Sequence, residues 1–314
     1  GVLGLVGDRR RKLEACYRRP QGMILVTGPT GSGKSTTLQC ILRDLRSEGT
    51  NIVTVEDPIE YELEGINQVQ VQREAGLTFA GSLRAILRQD PNVIMVGEIR
   101  DGETAEVAFR AALTGHLVLS TLHTNDTVST VTRLLDMGVP PFLISSALLA
   151  VISQRLVRKV CPACRVTGDP QPSALEGLPV GLLSAVESVH WGKGCSQCEQ
   201  TGYKGRVGLF ELLVLSPKLR KDVAGSVDEG AIRDRARREG MLLLLEDGIE
   251  KVRQGATTLE EVLSTAYWDG PSNAGRTEGD RPLSPRGEST EEPDNPSKNP
   301  GLPTIVYSES QHGG

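Results

Sequence analysis

Short apolar runs alternate with segments of mixed polarity between residues 20 and 140. In an alternation of this kind, the apolar runs are typical of buried strands and the mixed segments of helices that cover them. Such an order indicates an α/β fold, with a parallel sheet and helices on its faces. The predicted strands are residues 23–26, 51–55, 67–72, 92–96 and 117–122, and the predicted helices are residues 34–47, 83–88, 103–113 and 127–137.

Three other segments extend this pattern. Residues 8–18 predict a short helix before the first strand. Residues 141–152 form the longest apolar stretch, which is shorter than the about 20 residues that a membrane span requires, so we expect a buried helix there. Residues 269–314 are polar and rich in proline and glycine, so we expect a disordered tail, and its role does not follow from the sequence.

The charge is distributed unevenly along the 314 residues, a length that suggests roughly two domains. The net charge is −5, of which residues 269–314 carry −4 and residues 1–268 only −1. No basic excess is present to attract a polyanion, so we expect no nucleic-acid partner. The chain opens with Gly1 and has no signal-peptide pattern, so we expect its N-terminus to be the edge of a fragment.

A glycine-rich segment directly after the first predicted strand carries the most specific motif. Residues 28–35 read GPTGSGKS and match GxxxxGK[ST], whose glycines let backbone N–H groups converge on phosphate oxygens. In this motif Lys34 brings positive charge to the β and γ phosphates, and the Ser35 hydroxyl ligates Mg²⁺. The order of strand, loop and helix favours this interpretation over a chance glycine turn, so we predict ATP or GTP binding. The predicted contacts are Gly28, Pro29, Thr30, Gly31, Ser32, Gly33, Lys34, Ser35 and Thr36.

Two further strands end in carboxylates. Glu56 follows the strand at 51–55, and Glu98 follows the strand at 92–96. A carboxylate at the carboxyl edge of a sheet can hold Mg²⁺ through water or orient the attacking water in phosphoryl transfer. Glu98 stands where an aspartate usually binds the metal, and its longer side chain favours water activation over metal binding, with Glu56 as the second candidate for the base. A helix N-cap or an ordinary loop charge is the alternative for each.

Two histidines bracket the strand at 117–122. His123 follows its carboxyl end and can donate a hydrogen bond to a γ-phosphate, whereas His116 precedes it and cannot face the same ligand. A purely structural role is the alternative for His123 and the favoured interpretation for His116.

Two arginines lie on the helix predicted before the Glu98 strand. Arg84 and Arg88 are spaced i, i+4, which places both guanidinium groups on one helix face. Their forked donors suit a phosphate or a subunit interface, and a solvated basic face is the alternative.

Four of the six cysteines form two C-x-x-C pairs separated by 30 residues. Four thiolates suit tetrahedral Zn²⁺ and leave no open position, so we expect a structural zinc site at Cys161, Cys164, Cys195 and Cys198. The spacer exceeds the common 15–20 residues or so, and redox-active or free thiols are the alternative. Together with a nucleotide site, these cysteines favour a reducing cytoplasm.

Four motifs together resemble one family. They are GPTGSGKSTT at 28–37, VEDPIEY at 55–61, VGEIRD at 96–101 and TGHLVLSTLHTND at 114–126. In this order they resemble the secretion ATPases, the cytoplasmic motors of type II secretion and type IV pilus assembly, and the likeness covers residues 20–268. The resemblance implies a RecA-like core that assembles into a hexameric ring with ATP between neighbouring subunits, and ATP hydrolysis that drives extrusion of pilin subunits from the inner membrane.

The resemblance also implies roles for individual residues. It assigns Glu56, Asp57 and Glu60 to an acidic box, Glu98 to catalysis, His116 and His123 to a histidine box, and Arg84 and Arg88 to phosphate contacts. It further implies ATP, Mg²⁺ and Zn²⁺ as cofactors. The implied partners are an inner-membrane platform protein and a docking protein, which would hold a cytoplasmic motor at the membrane. The zinc module matches secretion and assembly motors rather than retraction motors, and the choice between secretion and pilus assembly stays open.

Two alternatives to a complete motor follow from the sequence. Only 27 residues precede Gly28, where family members carry further domains, so the chain is alternatively a truncated nucleotide-binding module with little ATPase activity of its own. A small-molecule kinase would need an acceptor pocket and a lid, for which no segment stands out. The expected organisation is 1–19 remnant of an N-terminal region, 20–157 RecA-like ATPase core, 158–210 zinc-binding subdomain, 211–268 C-terminal helical region and 269–314 tail.

Overall fold

The computed structural model describes residues 4–72, 74, 77–170, 175, 178–184, 186–225 and 228–266. The tail expected at 269–314 lies outside the described residues.

The first half of the chain alternates strands and helices, as the sequence predicts. A helix forms at the N-terminus where residues 8–18 predict one, and Thr78 and Asp101 cap two of the later helices through side-chain hydrogen bonds. The elements are α1 (Gly7–Tyr17), β1 (Gly22–Thr27), α2 (Lys34–Leu45), β2 (Ile52–Glu56), β3 (Asn67–Gln70), α3 (Phe79–Ile86), β4 (Val93–Val96), α4 (Gly102–Leu113), β5 (Leu117–Leu122) and α5 (Thr127–Asp136).

The second half begins with a helix and a long strand and ends in helices. One 3₁₀ turn, Ser196–Cys198, falls in this half, and another, Leu87–Gln89, extends α3. The elements are α6 (Pro141–Ala147), β6 (Leu148–Val160), β7 (Arg165–Gly168), α7 (Val180–Leu183), β8 (Val189–Gly192), β9 (Tyr203–Val214), α8 (Pro217–Ala224), α9 (Glu229–Arg238), α10 (Leu244–Arg253) and α11 (Leu259–Thr265).

Seven strands form the main sheet in the order β3-β2-β4-β5-β1-β6-β9. All neighbours are parallel except β6 and β9, which are antiparallel. Thr27 of β1 is in register with Leu122 of β5, and Val55 of β2 with Val96 of β4. These registers bring the carboxyl ends of β1, β2, β4 and β5 to one edge of the sheet, where parallel α/β folds bind their ligands.

Apolar side chains fill both faces of this sheet. Every residue of β1 is buried, which is typical of a parallel strand covered on two sides. Successive residues face different layers: Met23 belongs to the same buried cluster as Phe109 of α4, and Ile24 belongs to a second buried cluster that includes Leu38 of α2. No helix of the described residues is both long and apolar enough to cross a bilayer.

The structure corrects the helix predicted at residues 141–152. Helix α6 ends at Ala147, and strand β6 begins at Leu148 and runs for 13 residues between β1 and β9. The prediction is wrong for its second half because a strand buried on both faces is as uniformly apolar as a buried helix, so periodicity cannot separate them.

The long strands β6 and β9 also cross two of the expected domain boundaries. The boundary at 157/158 falls inside β6 and the boundary at 210/211 inside β9. The segment that carries the cysteine pairs is therefore an excursion between two paired strands of the main sheet. It contains its own two-stranded sheet, in which β7 and β8 pair antiparallel.

Candidate functional site

The loop between β1 and α2 has a backbone that requires glycine. Gly28 has φ +143°, and Gly33, which caps α2, has φ +87°. A Cβ atom at Gly28 would collide with the carbonyl oxygen of Gln154 and would lie 2.7 Å from the Ser32 hydroxyl. Strand β6 thus approaches the loop so closely that no other residue fits at position 28.

Lys34 is the first residue of α2 and reaches back across this loop. Its ammonium group donates hydrogen bonds to the carbonyl oxygens of Gly28 at 2.8 Å and Pro29 at 3.0 Å. Burial lowers the pKa of Lys34, and the negative charge of Glu98 acts in the opposite direction. The positive charge of Lys34 is therefore placed between the loop and the end of β4.

A cavity of 590 Å³ opens in front of the loop. Its walls come from the loop, from α2 and from the carboxyl ends of β2, β4 and β5, with one further residue from each of α3, β6 and β9. Six of the nine predicted nucleotide contacts line it: Thr30, Gly31, Gly33, Lys34, Ser35 and Thr36. The polar groups opposite them are Glu56, Asp57, Glu60, Glu98, Arg100, Thr121, His123 and Arg206.

Glu98 stands at the centre of a charged cluster in this cavity. Its Oε2 atom lies 3.4 Å from Nε2 of His123, and its Oε1 atom forms an ion pair with Arg100. The guanidinium of Arg100 also lies 3.7 Å from Oδ2 of Asp57, and the hydrogen bond with Glu98 raises the pKa of Arg100. Because the guanidinium holds Oε1, the oxygen of Glu98 that can accept a proton from a bound water is Oε2, beside His123.

Glu56 lines the same cavity but is more tightly held. It is 7% exposed, and its Oε1 atom accepts hydrogen bonds from the Thr54 hydroxyl at 2.6 Å and the Gln68 amide at 2.9 Å. These partners fix the carboxylate against the wall, so Glu98 is better placed than Glu56 to act on a bound molecule.

Three other predicted residues do not line the cavity of this chain. The Arg84 guanidinium donates a hydrogen bond to Glu103 at 2.8 Å on the surface, and Arg88 lies in the 3₁₀ turn after α3. His116 lies at the opposite end of β5 from His123, and its Nδ1 atom lies 3.0 Å from the Ala111 carbonyl oxygen. That contact is consistent with the structural role favoured for His116.

Sequence reasoning missed two arginines of the cavity, Arg100 and Arg206. Arg100 follows Glu98 by two residues, so its place in the VGEIRD segment is a usable signal. Arg206 comes from the outer strand β9, and nothing in its local sequence connects it with a loop more than a hundred residues earlier in the chain.

The four cysteines of the C-x-x-C pairs converge as expected. All four sulfur atoms lie within 4.8 Å of one another, and three of the Sγ–Sγ distances are 3.9 Å (Cys161–Cys195), 3.8 Å (Cys164–Cys198) and 3.7 Å (Cys195–Cys198). Zn–S bonds of about 2.3 Å in a tetrahedron place the sulfur atoms about 3.8 Å apart, so these four residues fit Zn²⁺.

Backbone N–H groups support the thiolate form of Cys198. Sγ of Cys198 accepts hydrogen bonds from the backbone N–H of Cys195 and of Gly202, both at 3.3 Å. Burial raises the pKa of Cys198, but these hydrogen bonds and the neighbouring cysteines outweigh burial and lower it to about 6. Such donors are typical of the groups around a metal-bound sulfur.

Comparison with known sequences gives one consistent result. The sequence model for "Type II/IV secretion system protein" matches residues 2–264. The type II secretion system protein E of Aeromonas hydrophila is 52% identical over 269 residues, which cover 85% of this chain and 53% of that protein. The type IV pilus assembly ATPase PilB of Thermus thermophilus is 54% identical over 265 residues, which cover 83% of this chain and 30% of that protein. The chain thus spans about half or less of these curated relatives.

Solved structures agree with the sequence comparison. The pilus retraction motor PilT, solved with bound ADP, has a TM-score of 0.63 at 33% identity, with 85% of this chain and 66% of that chain covered. The ATPase DotB of Legionella pneumophila has a TM-score of 0.60 at 27% identity, with 83% and 63% covered. The α/β fold with a RecA-like core predicted from the sequence is confirmed.

Proposed function

The chain belongs to the type II/IV secretion system protein family, and we propose that it is the ATP-hydrolysing part of a motor for type II secretion or type IV pilus assembly. The observation that carries this proposal is the placement of Glu98 and His123, from the ends of two different strands, 3.4 Å apart at the cavity that the glycine-rich loop borders. Relatives named as an ATPase and as a motor support the same chemistry.

In this proposal the glycine-rich loop and the start of α2 bind the nucleotide. Backbone N–H groups of residues 30–35 hold the β-phosphate, and Lys34 supplies positive charge to the β and γ oxygens. The Ser35 hydroxyl, exposed at the N-terminus of α2, would hold Mg²⁺, which when bound neutralises charge on the phosphate oxygens. Lys34 would exchange its contacts with the loop carbonyls for phosphate oxygens.

In this proposal the charged cluster around Glu98 catalyses hydrolysis. The Oε2 atom of Glu98, which lies beside His123, accepts a proton from the attacking water, while Arg100 holds the other oxygen of the carboxylate. His123, half exposed towards the cavity, donates a hydrogen bond to the terminal phosphate. Glu56 is the second candidate for the base, in a more constrained position.

The arginines outside the cavity fit a role between subunits. The side chain of Arg84 is 50% exposed, and among the described residues it forms an ion pair with Glu103 alone, on the surface, which contributes little to stability. We assign Arg84 and Arg88 to phosphate contacts across the interface of a homo-oligomeric, hexameric ring. In this assembly the ring is cytoplasmic and works at the inner membrane through a platform protein and a docking protein.

The cysteine cluster has a structural role in this proposal. Cys161, Cys164, Cys195 and Cys198 would hold Zn²⁺ with no position left open for substrate, so the ion would stabilise the segment between β6 and β9 and take no part in hydrolysis. Arg206, at the start of the returning strand, links this excursion to the nucleotide cavity.

The experiment that tests the proposal measures ATPase activity over a hundredfold range of protein concentration, together with native mass in the presence of a non-hydrolysable ATP analogue and Mg²⁺. A motor predicts specific activity that rises with concentration and a species of six chains. Nucleotide binding with negligible turnover at every concentration would instead support the alternative, a nucleotide-binding module that needs the remainder of the protein. Absence of nucleotide binding would overturn both.

A further inference from the structure

The residues that follow His123 are tied to two different strands. The backbone N–H of Thr124 donates a hydrogen bond to the Thr27 hydroxyl at 2.8 Å, at the point where β1 enters the glycine-rich loop. The carbonyl oxygen of Asn125 accepts hydrogen bonds from the Arg155 guanidinium at 2.8 Å and from the Ser153 hydroxyl at 3.2 Å. We call residues 123–126 the His123 loop. Its conformation therefore depends on β1 and β6.

Arg155 is an unusual residue for its position in the middle of β6. It is only 9% exposed, and in the described part of the chain it forms no ion pair. Its Nη1 atom donates to the Gln154 carbonyl oxygen at 3.1 Å, while Nη2 donates to Asn125. Burial lowers the pKa of Arg155, and Glu211 and Asp126 partly offset that effect. Keeping a guanidinium there costs desolvation that an apolar residue would avoid.

The same short segment of β6 also supports the glycine-rich loop. The Gln154 carbonyl oxygen, which Arg155 contacts, is the group that closes off the space beside Gly28, and Nη1 of Arg155 would lie 3.0 Å from a Cβ atom at that position. The Gln154 side chain, on the other face of the strand, accepts a hydrogen bond from the Thr37 hydroxyl of α2 at 2.7 Å. Neighbouring residues of one strand thus contact both the glycine-rich loop and helix α2.

We propose that Arg155 is a positioning residue, which holds the His123 loop in a fixed place relative to the glycine-rich loop. A planar guanidinium can donate to two carbonyl groups of different segments at once, and lysine has no such fork. Arg155 donates a hydrogen bond to Asn125 and lies next to Gly28. Movement of either loop would therefore displace Arg155 and, through it, the other loop. The inference rests on the proposed function in one respect, namely that His123 faces the terminal phosphate.

The first test is independent of nucleotide. Arg155→Lys keeps the positive charge and loses the fork, so hydrogen exchange of the Thr124 amide and its neighbours in 123–127 should accelerate by about tenfold, as expected for losing a hydrogen bond to a charged donor. The matched control is Arg158→Lys on the same strand, because Arg158 is exposed and pairs with Glu261 at 2.7 Å, away from the His123 loop.

If the amide hydrogens of residues 123–127 exchange at the same rate in Arg155→Lys as in the wild type, the proposal is wrong. Should that variant fail to fold, Arg155→Gln, which keeps one amide donor and removes the charge, gives the same prediction and the same criterion.

The second test uses the nucleotide site. The ratio of the Kd for ADP to the Kd for a non-hydrolysable ATP analogue, both with Mg²⁺, should fall by about tenfold in Arg155→Lys, because His123 no longer meets the terminal phosphate. In a His123→Ala background, Arg155→Lys should have no further effect on this ratio, since the two residues act through one contact. Equal losses in both backgrounds would contradict a positioning role.

The two tests separate the two proposals. If the unmodified chain binds neither nucleotide, the proposed function fails and the exchange measurement still decides whether Arg155 positions the His123 loop. If nucleotide binds and exchange is unchanged, the positioning role fails and the proposed function stands.

Discussion

Nε2 of His123 lies 3.4 Å from Oε2 of Glu98, although the two residues follow different strands and are separated by helix α4. The parallel pairing of β4 and β5, with Val96 in register with Ser120, brings their carboxyl ends together. A carboxylate and an imidazole that meet beside a phosphate-binding loop can act on the same phosphate, one on the attacking water and one on the transferred group.

Replacement of Glu98 should separate binding from turnover. Glu98→Gln removes the proton acceptor and keeps the size of the side chain, so we expect ATP hydrolysis to fall by about 100-fold or more with nucleotide affinity almost unchanged. Glu106→Gln on α4, whose side chain is 50% exposed and pairs only with Arg110 in the described structure, is the control and should keep full activity. Near-normal turnover in Glu98→Gln would remove Glu98 from the role of base.

Replacement of Gly28 should weaken nucleotide binding. A methyl group there would collide with the Gln154 carbonyl oxygen, and the φ of +143° is unfavourable for alanine, so the loop must move. We expect Gly28→Ala to weaken Mg²⁺–ATP binding by at least about tenfold in an equilibrium titration, the effect of about 1.4 kcal/mol.

Gly49→Ala provides the matched control for this substitution. Gly49 also has positive φ, +88°, but open space surrounds its Cβ position on an exposed turn. A positive φ outside the cavity should lower the stability of Gly49→Ala without weakening nucleotide binding, so equal affinities for the two variants would argue against movement of the glycine-rich loop in Gly28→Ala.

Metal analysis should find one zinc ion per chain. Chelation, or Cys198→Ser, should loosen residues 158–210 and lower the melting temperature, because zinc sites of this type supply about 10–16 kcal/mol of apparent binding free energy. ATP binding should persist, since most of the cavity lining comes from the glycine-rich loop, α2 and the carboxyl ends of β2, β4 and β5. Cys40→Ser, in α2 and away from the cluster, should retain zinc. A zinc-free protein with the same melting temperature would refute the assignment.

Glu211 should give the stability of the chain an unusual response to pH. It is buried, and burial raises the pKa of Glu211 even though Oε1 accepts hydrogen bonds from the Thr127 hydroxyl and N–H. A carboxyl with a raised folded-state pKa binds its proton more tightly when folded. Its contribution to stability is therefore fully present below the unfolded-state pKa and is lost as the pH rises through the folded-state value.

Denaturant unfolding of the wild type and of Glu211→Gln tests this sign. As the pH falls from about 7 towards about 4.3, the ordinary glutamate value, the wild type should gain free energy of unfolding relative to Glu211→Gln, which cannot take up the proton. Glu106→Gln serves again as control, and its difference from the wild type should stay nearly constant. A relative loss of wild-type stability on acidification would show that the hydrogen bonds from Thr127 outweigh burial.

Local sequence was sufficient for much of the candidate site. The order of strand, glycine-rich loop and helix around Lys34, and acids after apolar strands at Glu56 and Glu98, are patterns that depend on neighbouring residues only. Parallel pairing then brings such strand ends together in any fold of this class, so their convergence on one cavity follows from the strand prediction. The paired cysteines were readable for the same reason, because two thiols three residues apart suit one metal whatever surrounds them.

Contacts between distant segments had to come from the tertiary structure. The sequence could not distinguish strand from helix at residues 148–152, because burial on both faces removes the polar positions that reveal periodicity. Without strand β6 in place, neither the support of Gly28 by Gln154 nor the hydrogen bond from Arg155 to Asn125 could be foreseen. Which of several arginines faces a cavity is decided by the packing of whole elements: Arg206 lines the nucleotide cavity and Arg84 lies outside it.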